Sequence, residues 1–262
     1  MARALRRFAA VALALCVGAA CEARATEQTV LLPAGNYTPF QRARLTGAAA
    51  RLTTRIEVAP FRLDVLPVTN ARFLAFVSEH SEWRKSRVKP LFVDAGYLKR
   101  WPGDLELPDA QAADEPVTDV SWFAARAFCR AQGERVPTTE QWEYALADGG
   151  RDQAAVRLAS LDWFAKPNSS RPGPVGAGAA SGFGLKDMVG LIWEWTLDFD
   201  AFSVSAESRD PNGKDSAQFC GGAAAGVADP SDYPAFMRYA LRASLKADYT
   251  AENVGFRCAG DP

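Results

Sequence analysis

One histidine, His80, serves the whole 262-residue chain. A three-histidine iron centre cannot be built from it, nor can a histidine-rich zinc site. Its setting, "SEHSEW", implies a surface position at a helix end. Charge of one sign is lacking as well. The 30 basic and 31 acidic residues leave a formal net charge of −1, which argues against nucleic acid as a partner. No apolar run reaches the roughly 18 to 20 residues needed to span a bilayer, the run from Phe8 to Ala20 included. A fixed repeat period is missing, and so is any Gly/Ser or charge-block linker. These two absences argue for one domain and against a repeat architecture.

The Phe8–Ala20 run follows Arg3, Arg6 and Arg7 and precedes small residues at Ala23 and Ala25. That is the pattern of a cleavable secretory signal over residues 1–25, with a single domain over 26–262 and a periplasmic or secreted location. A lipoprotein signal would use Cys21, for which Gly18 and Ala19 make a poor lead-in. Removing Arg3, Arg6, Arg7, Arg24 and Glu22 takes the formal charge to −4. The 20 glycines and 16 prolines interrupt short apolar segments, which suggests a loop-rich α+β fold.

Phe61, Leu63 and Val65 alternate with Arg62 and Asp64, the period of a strand with one buried face. Three helices are predicted after it. Thr69 caps the first, with Phe73, Phe76 and Val77 on one face. Ser121 caps the second, with Trp122, Ala125 and Cys129 as its stripe. Thr138 and Gln141 have capping-box spacing for the third, Pro137 disfavours helix before it, and Trp142, Ala145 and Leu146 face inward. Beyond Gly149 the reading loses periodicity, although the density of aromatics makes Trp193 and Trp195 core residues. Exposed carboxylates such as Asp198 and Asp200 are ordinary loop residues.

Four segments in order, "FRLDVLPVTNARFLAFV", "EPVTDVSWFAARAFCRAQGERVPTTEQWEYAL", "GFGLKDMVGLIWEWTLDF" and "NVGFRCAG", resemble the formylglycine-generating enzyme family, or sulfatase-modifying factor domains. The likeness spans about Val30 to Gly260. It implies a single α+β domain of the formylglycine-generating-enzyme fold, related to C-type lectins. In that family's oxidases two cysteines five positions apart follow a "GGS" turn, bind copper(I) and activate oxygen. Here the turn is "GGA", Gly221 to Ala223. Counting forward places Gly226 at the first reactive position, and counting back from "GFRC" places Asp229 and Pro234 at the pair. Cysteine is absent from Gly221 through Arg257, so copper is not expected, because copper(I) requires soft thiolates.

The resemblance also pairs Cys129 with Cys258 in a disulfide and leaves Cys220 odd. A second family disulfide would fall at Leu146 and Tyr239, neither of them cysteine. It further implies a calcium ion held by Val189, Gly190, Ile192 and Glu194, mostly through main-chain carbonyls, with Leu191 where the family commonly has asparagine. The alternative for Glu194 is a structural salt bridge.

Two functions follow as expectations. One is an exported, non-catalytic accessory or maturation factor that binds a periplasmic protein or ligand in a cleft formed by Cys220, Ala223, Ala224, Gly226, Tyr233, Phe236, Tyr239 and Arg242. "FCGGAAAG" and "YPAFMRYALRASLKADYT" resemble NirV-type members encoded beside copper nitrite reductases. The other is an oxidoreductase with altered chemistry, as in the pyoverdine-maturation branch.

Overall fold

The computed structural model describes residues 28–262 except 41–42, 47–48, 53–54, 150, 152, 167–170 and 201–230, with backbone pairing alone for 43–46 and 49–52. The signal segment and the loop carrying Cys220, Ala223, Ala224, Gly226 and Asp229 therefore lie outside the described residues.

Strands β1 (Thr29–Leu32), β6 (Phe61–Asp64) and β9 (Ala259–Gly260) form an antiparallel sheet in the order β1-β6-β9, so both ends of the described chain meet on β6. Between them, β2 (Gly35–Tyr37) pairs with β5 (Ile56–Val58), and β3 (Ala43–Thr46) with β4 (Ala49–Leu52). A short parallel pair, β7 (Trp193–Glu194) and β8 (Val254–Gly255), closes the list. The mixture of short strands with helices is α+β, as the sequence suggested.

Helix α1 (Asn70–Glu79) starts where Thr69 accepts a hydrogen bond from the Arg72 N–H, and it buries Phe73, Phe76 and Val77. At its far end the backbone N–H of His80 bonds Phe76 O, and its half-buried ring stacks on Phe76 with centroids 4.6 Å apart. Helix α2 (Trp122–Ala131) is capped by Ser121 and buries Ala125 and Cys129. Helix α3 (Thr139–Leu146) opens with the full Thr138/Gln141 capping box and buries Trp142, Ala145 and Leu146. Two hydrophobic clusters result. The larger packs α1 and α2 around Phe73, Phe128, Trp195 and Phe256, and the smaller packs β1, β6 and α3 around Leu32, Phe61, Leu63 and Trp142. Cys129 and Cys258 are joined as the resemblance implied, with Cα atoms 5.6 Å apart, which ties α2 to the residue before β9.

Three expectations change. Asp64, placed on the solvent face by alternation, is 2% exposed, because its Oδ2 accepts from the Cys258 N–H and from Arg72. Trp193 is half-buried, whereas Trp195 is fully buried. Beyond Gly149 the described residues hold two further helices, α4 (Gln153–Phe164) and α5 (Tyr233–Ser244).

Candidate functional site

Helix α5 begins with Asp232 accepting from the Ala235 N–H, and Pro234 stands in its first turn, where a missing N–H costs nothing. Arg238 and Arg242 are one helical turn apart and face the same way. Both meet Glu143, which α3 presents from inside its apolar stripe. Arg238 donates from Nε to both carboxylate oxygens (3.1 and 3.2 Å) and from Nη2 to Oε2 (2.9 Å); Arg242 Nη1 donates to Oε1 (2.7 Å). All three side chains are at most 8% exposed. Burial alone would push the Glu143 carboxyl up, but the two guanidinium groups outweigh it and hold it below the usual range. Arg242 also lies over the Trp142 and Tyr239 rings, at 4.8 and 5.7 Å from their centroids.

Trp142 links this triad to a second one. Its Nε1 donates to Glu194 Oε2 at 2.8 Å, and the same carboxylate receives Arg257 Nε and Nη2, each at 2.8 Å. The Arg257–Glu194 pair has no exposed side-chain surface.

Beside the first triad is a cavity of about 190 Å³, bounded among the described residues by the Tyr37–Phe40 segment, the end of α3, one side of α4 and the start of α5. Its rim carries the Arg157–Asp232 ion pair at 3.5 Å.

The sequence-derived cleft residues divide. Tyr233 is 54% exposed. Phe236 and the buried Tyr239 turn inward against Phe40, whose ring is 5.3 Å from that of Tyr239. Arg242 is committed to Glu143. Pro234, one of the two positions implied for a reactive thiol, is buried in the first turn of α5. Both cysteines among the described residues are in the disulfide. Asp198 is not a free loop carboxylate, since its Oδ1 accepts from the Thr139 N–H at the start of α3, while Asp200 is exposed.

Along the implied calcium segment, Val189 is half-buried, Gly190 exposed at φ +102°, and Ile192 buried. Glu194 is already neutralised by a permanently charged guanidinium and its oxygens take three N–H groups. Both Glu194 oxygens are thus already engaged by Arg257 and Trp142.

Sequence reading passed over Glu143, Arg238 and Tyr37. The signal that could have found them was a carboxylate inside an apolar stripe, in "WEYAL", together with two arginines at helical spacing in "RYALR".

A family model for the sulfatase-modifying factor enzyme 1-like domain matches residues 17–262. The formylglycine-generating enzyme of Streptomyces coelicolor is 30% identical, over 93% of this chain and 92% of that protein. The inactive C-alpha-formylglycine-generating enzyme 2 of Mus musculus is 28% identical, over 78% of this chain and 76% of that one. The hercynine oxygenase of Mycolicibacterium thermoresistibile is 33% identical over 54% of this chain, which is 36% of that enzyme.

Proposed function

Because the chain belongs to the family of sulfatase-modifying factor enzyme 1-like domains, we propose that it is a binding and accessory member, not a formylglycine-forming oxidase. One observation carries this reading: the stretch from Gly221 to Arg257 holds no cysteine, and buried Pro234 occupies one implied thiol position. Oxygen activation by copper(I) in the resembled oxidases needs two soft thiolates, and a proline ring supplies no ligand atom. The mouse relative of comparable identity, named an inactive C-alpha-formylglycine-generating enzyme, supports this reading. A histidine-ligated iron centre is also closed to a chain whose one histidine stacks on Phe76.

A location outside the cytoplasm belongs to the same proposal, supported by the leader-like pattern of the first 25 residues. The "FCGGAAAG" likeness directs it toward maturation of a periplasmic copper nitrite reductase. Incubating the purified protein with a cysteine-containing sulfatase peptide, with and without copper(I), tests the negative half of the proposal. Mass spectrometry should show no aldehyde above a protein-free control. Aldehyde formation would return the chain to the oxidases and make Cys220 its first suspect.

A further inference from the structure

We propose that a second cavity, between Arg100 and Arg171, binds a small uncharged carbonyl compound of the amide class, with its oxygen at the Arg100 guanidinium and its apolar body against Trp101, Pro108 and Ala112. The inference is independent of whether the chain retains oxidase chemistry.

This cavity, of about 340 Å³, is bounded among the described residues by the start of α1, the Arg100–Trp101 segment, Pro108, the short helix Ala110–Asp114, Glu115 and Arg171. Its volume falls within the roughly 300–1,000 Å³ of small-molecule sites. The floor is fixed in advance. Trp101 Nε1 donates to Asn70 Oδ1 at 3.0 Å, and Asn70 Nδ2 donates to Ala112 O at 3.0 Å and to Glu115 O at 3.3 Å. Arg100 is held beside it by Thr118, whose hydroxyl accepts from Nη2 at 3.0 Å. The backbone that sets Arg100 against Thr118 is strained: Leu98 (φ +46°) and Asp119 (φ +57°) are bonded to each other, Leu98 N–H to Asp119 O. Strain of this kind persists only where the surrounding structure over-determines it.

What the wall offers is a donor short of acceptors. Thr118 takes one N–H of Arg100, but Nε and Nη1 face carboxylate oxygens, Asp119 Oδ2 and Glu115 Oε2, that stand 3.9 and 3.7 Å away, beyond hydrogen-bond reach. Those two oxygens are sealed from solvent, whereas the Arg100 side chain lines the cavity and keeps 24% of its surface exposed. Charge decides the class of ligand. Arg100, Arg171 and Glu115 line the cavity, Asp109 takes both Nη groups of Arg171 at 2.7 and 2.8 Å, and Asp119 stands behind Arg100, so two positive and three negative groups sum to −1. Burial raises the Asp119 pKa, which moves that sum toward zero. An anion would add to charge already balanced, and a cation would meet two guanidinium groups on the wall. An uncharged acceptor satisfies Arg100 without either cost. Trp101, Pro108 and Ala112 give the cavity apolar walls, which favour a ligand with a carbon body.

Calorimetry on the purified protein with benzamide, benzoate and benzylamine, three ligands of similar shape and different charge, tests the proposal. Benzamide should bind, and each charged ligand at least tenfold more weakly. Arg100→Leu removes the donors and should weaken benzamide binding at least tenfold. Should that variant fail to fold, because Glu115 and Asp119 lose their facing charge, Pro108→Trp takes its place. It fills the cavity from an exposed rim position without touching the Asn70–Trp101 bond, and binding should fall at least tenfold with the circular dichroism spectrum unchanged. Benzoate or benzylamine binding as tightly as benzamide, undiminished binding in either folded variant, or no binding of benzamide at millimolar concentration would each overturn it.

Discussion

Arg257 uses every N–H it has. Nε and one arm of Nη2 go to Glu194, Nη1 to the carbonyls of Asp64 and Val65, and the rest of Nη2 to the carbonyl of Lys186. Its neighbours in "GFRC" are as constrained: a Cβ on Gly255 would meet Val117 O at 2.4 Å, Phe256 is fully buried, and Cys258 is bridged. Glu194→Gln would leave that guanidinium buried without a counter-charge and should cost about 3–5 kcal/mol, read from urea unfolding. A loss below about 1 kcal/mol would show the pair to be dispensable. Asp64 is the residue through which pH acts. Burial, then the nearby Glu134 carboxylate, raises its pKa to about 7, and both Asp64 Oδ1 and Glu134 Oε2 are buried without partners. The folded state therefore holds the Asp64 proton more tightly than the unfolded chain does. Stability from this group is present below the ordinary carboxylate pKa and is lost as pH rises toward about 7. Asp64→Asn should flatten the dependence of melting temperature on pH between about 4 and 7; an unchanged slope would assign it to another group.

Helices α1, α2 and α3 were legible because each carries its own start signal, Thr69, Ser121 or Thr138, followed by apolar residues at helical spacing. Helix α5 was not, although Asp232 and Pro234 mark its start. Its inward face contains Ala235, Arg238, Tyr239 and Arg242, so two charges interrupt the apolar stripe that periodicity looks for. Helix α4 hides for the opposite reason: Leu158 and Leu161 are exposed at 64% and 40%, and apolar residues all round give no direction. The disulfide joins α2 to the residue before β9 across 129 residues of sequence. Replacing both cysteines by alanine should lower stability by about 5 kcal/mol in the chain-entropy model, measured by denaturant unfolding. Non-reducing peptide mapping should recover a Cys129–Cys258 peptide, and a bridge from Cys220 to either would break the register.

At the scale of the molecule, one family domain covers nearly the whole chain, and no helix among the described residues is long and apolar enough to cross a membrane. Fold class was readable from short apolar segments, caps and turn glycines, which act through near neighbours, whereas the family and the Cys129–Cys258 pairing were readable only through the resemblance of four ordered segments to a known family. The missing thiols between Gly221 and Arg257 were equally plain, because a residue type that is absent from a stretch cannot ligate from it. What Glu143, Glu194 and Asp64 do was decided only in three dimensions. Glu143 lies 95 positions from Arg238, and Glu194 lies 63 from Arg257. The same carboxylate is a solvated surface charge, a metal ligand or half of a buried ion pair according to what the fold sets against it. Compensation of that kind leaves no periodic trace, so the Glu143 triad became visible only once α3 and α5 were packed together.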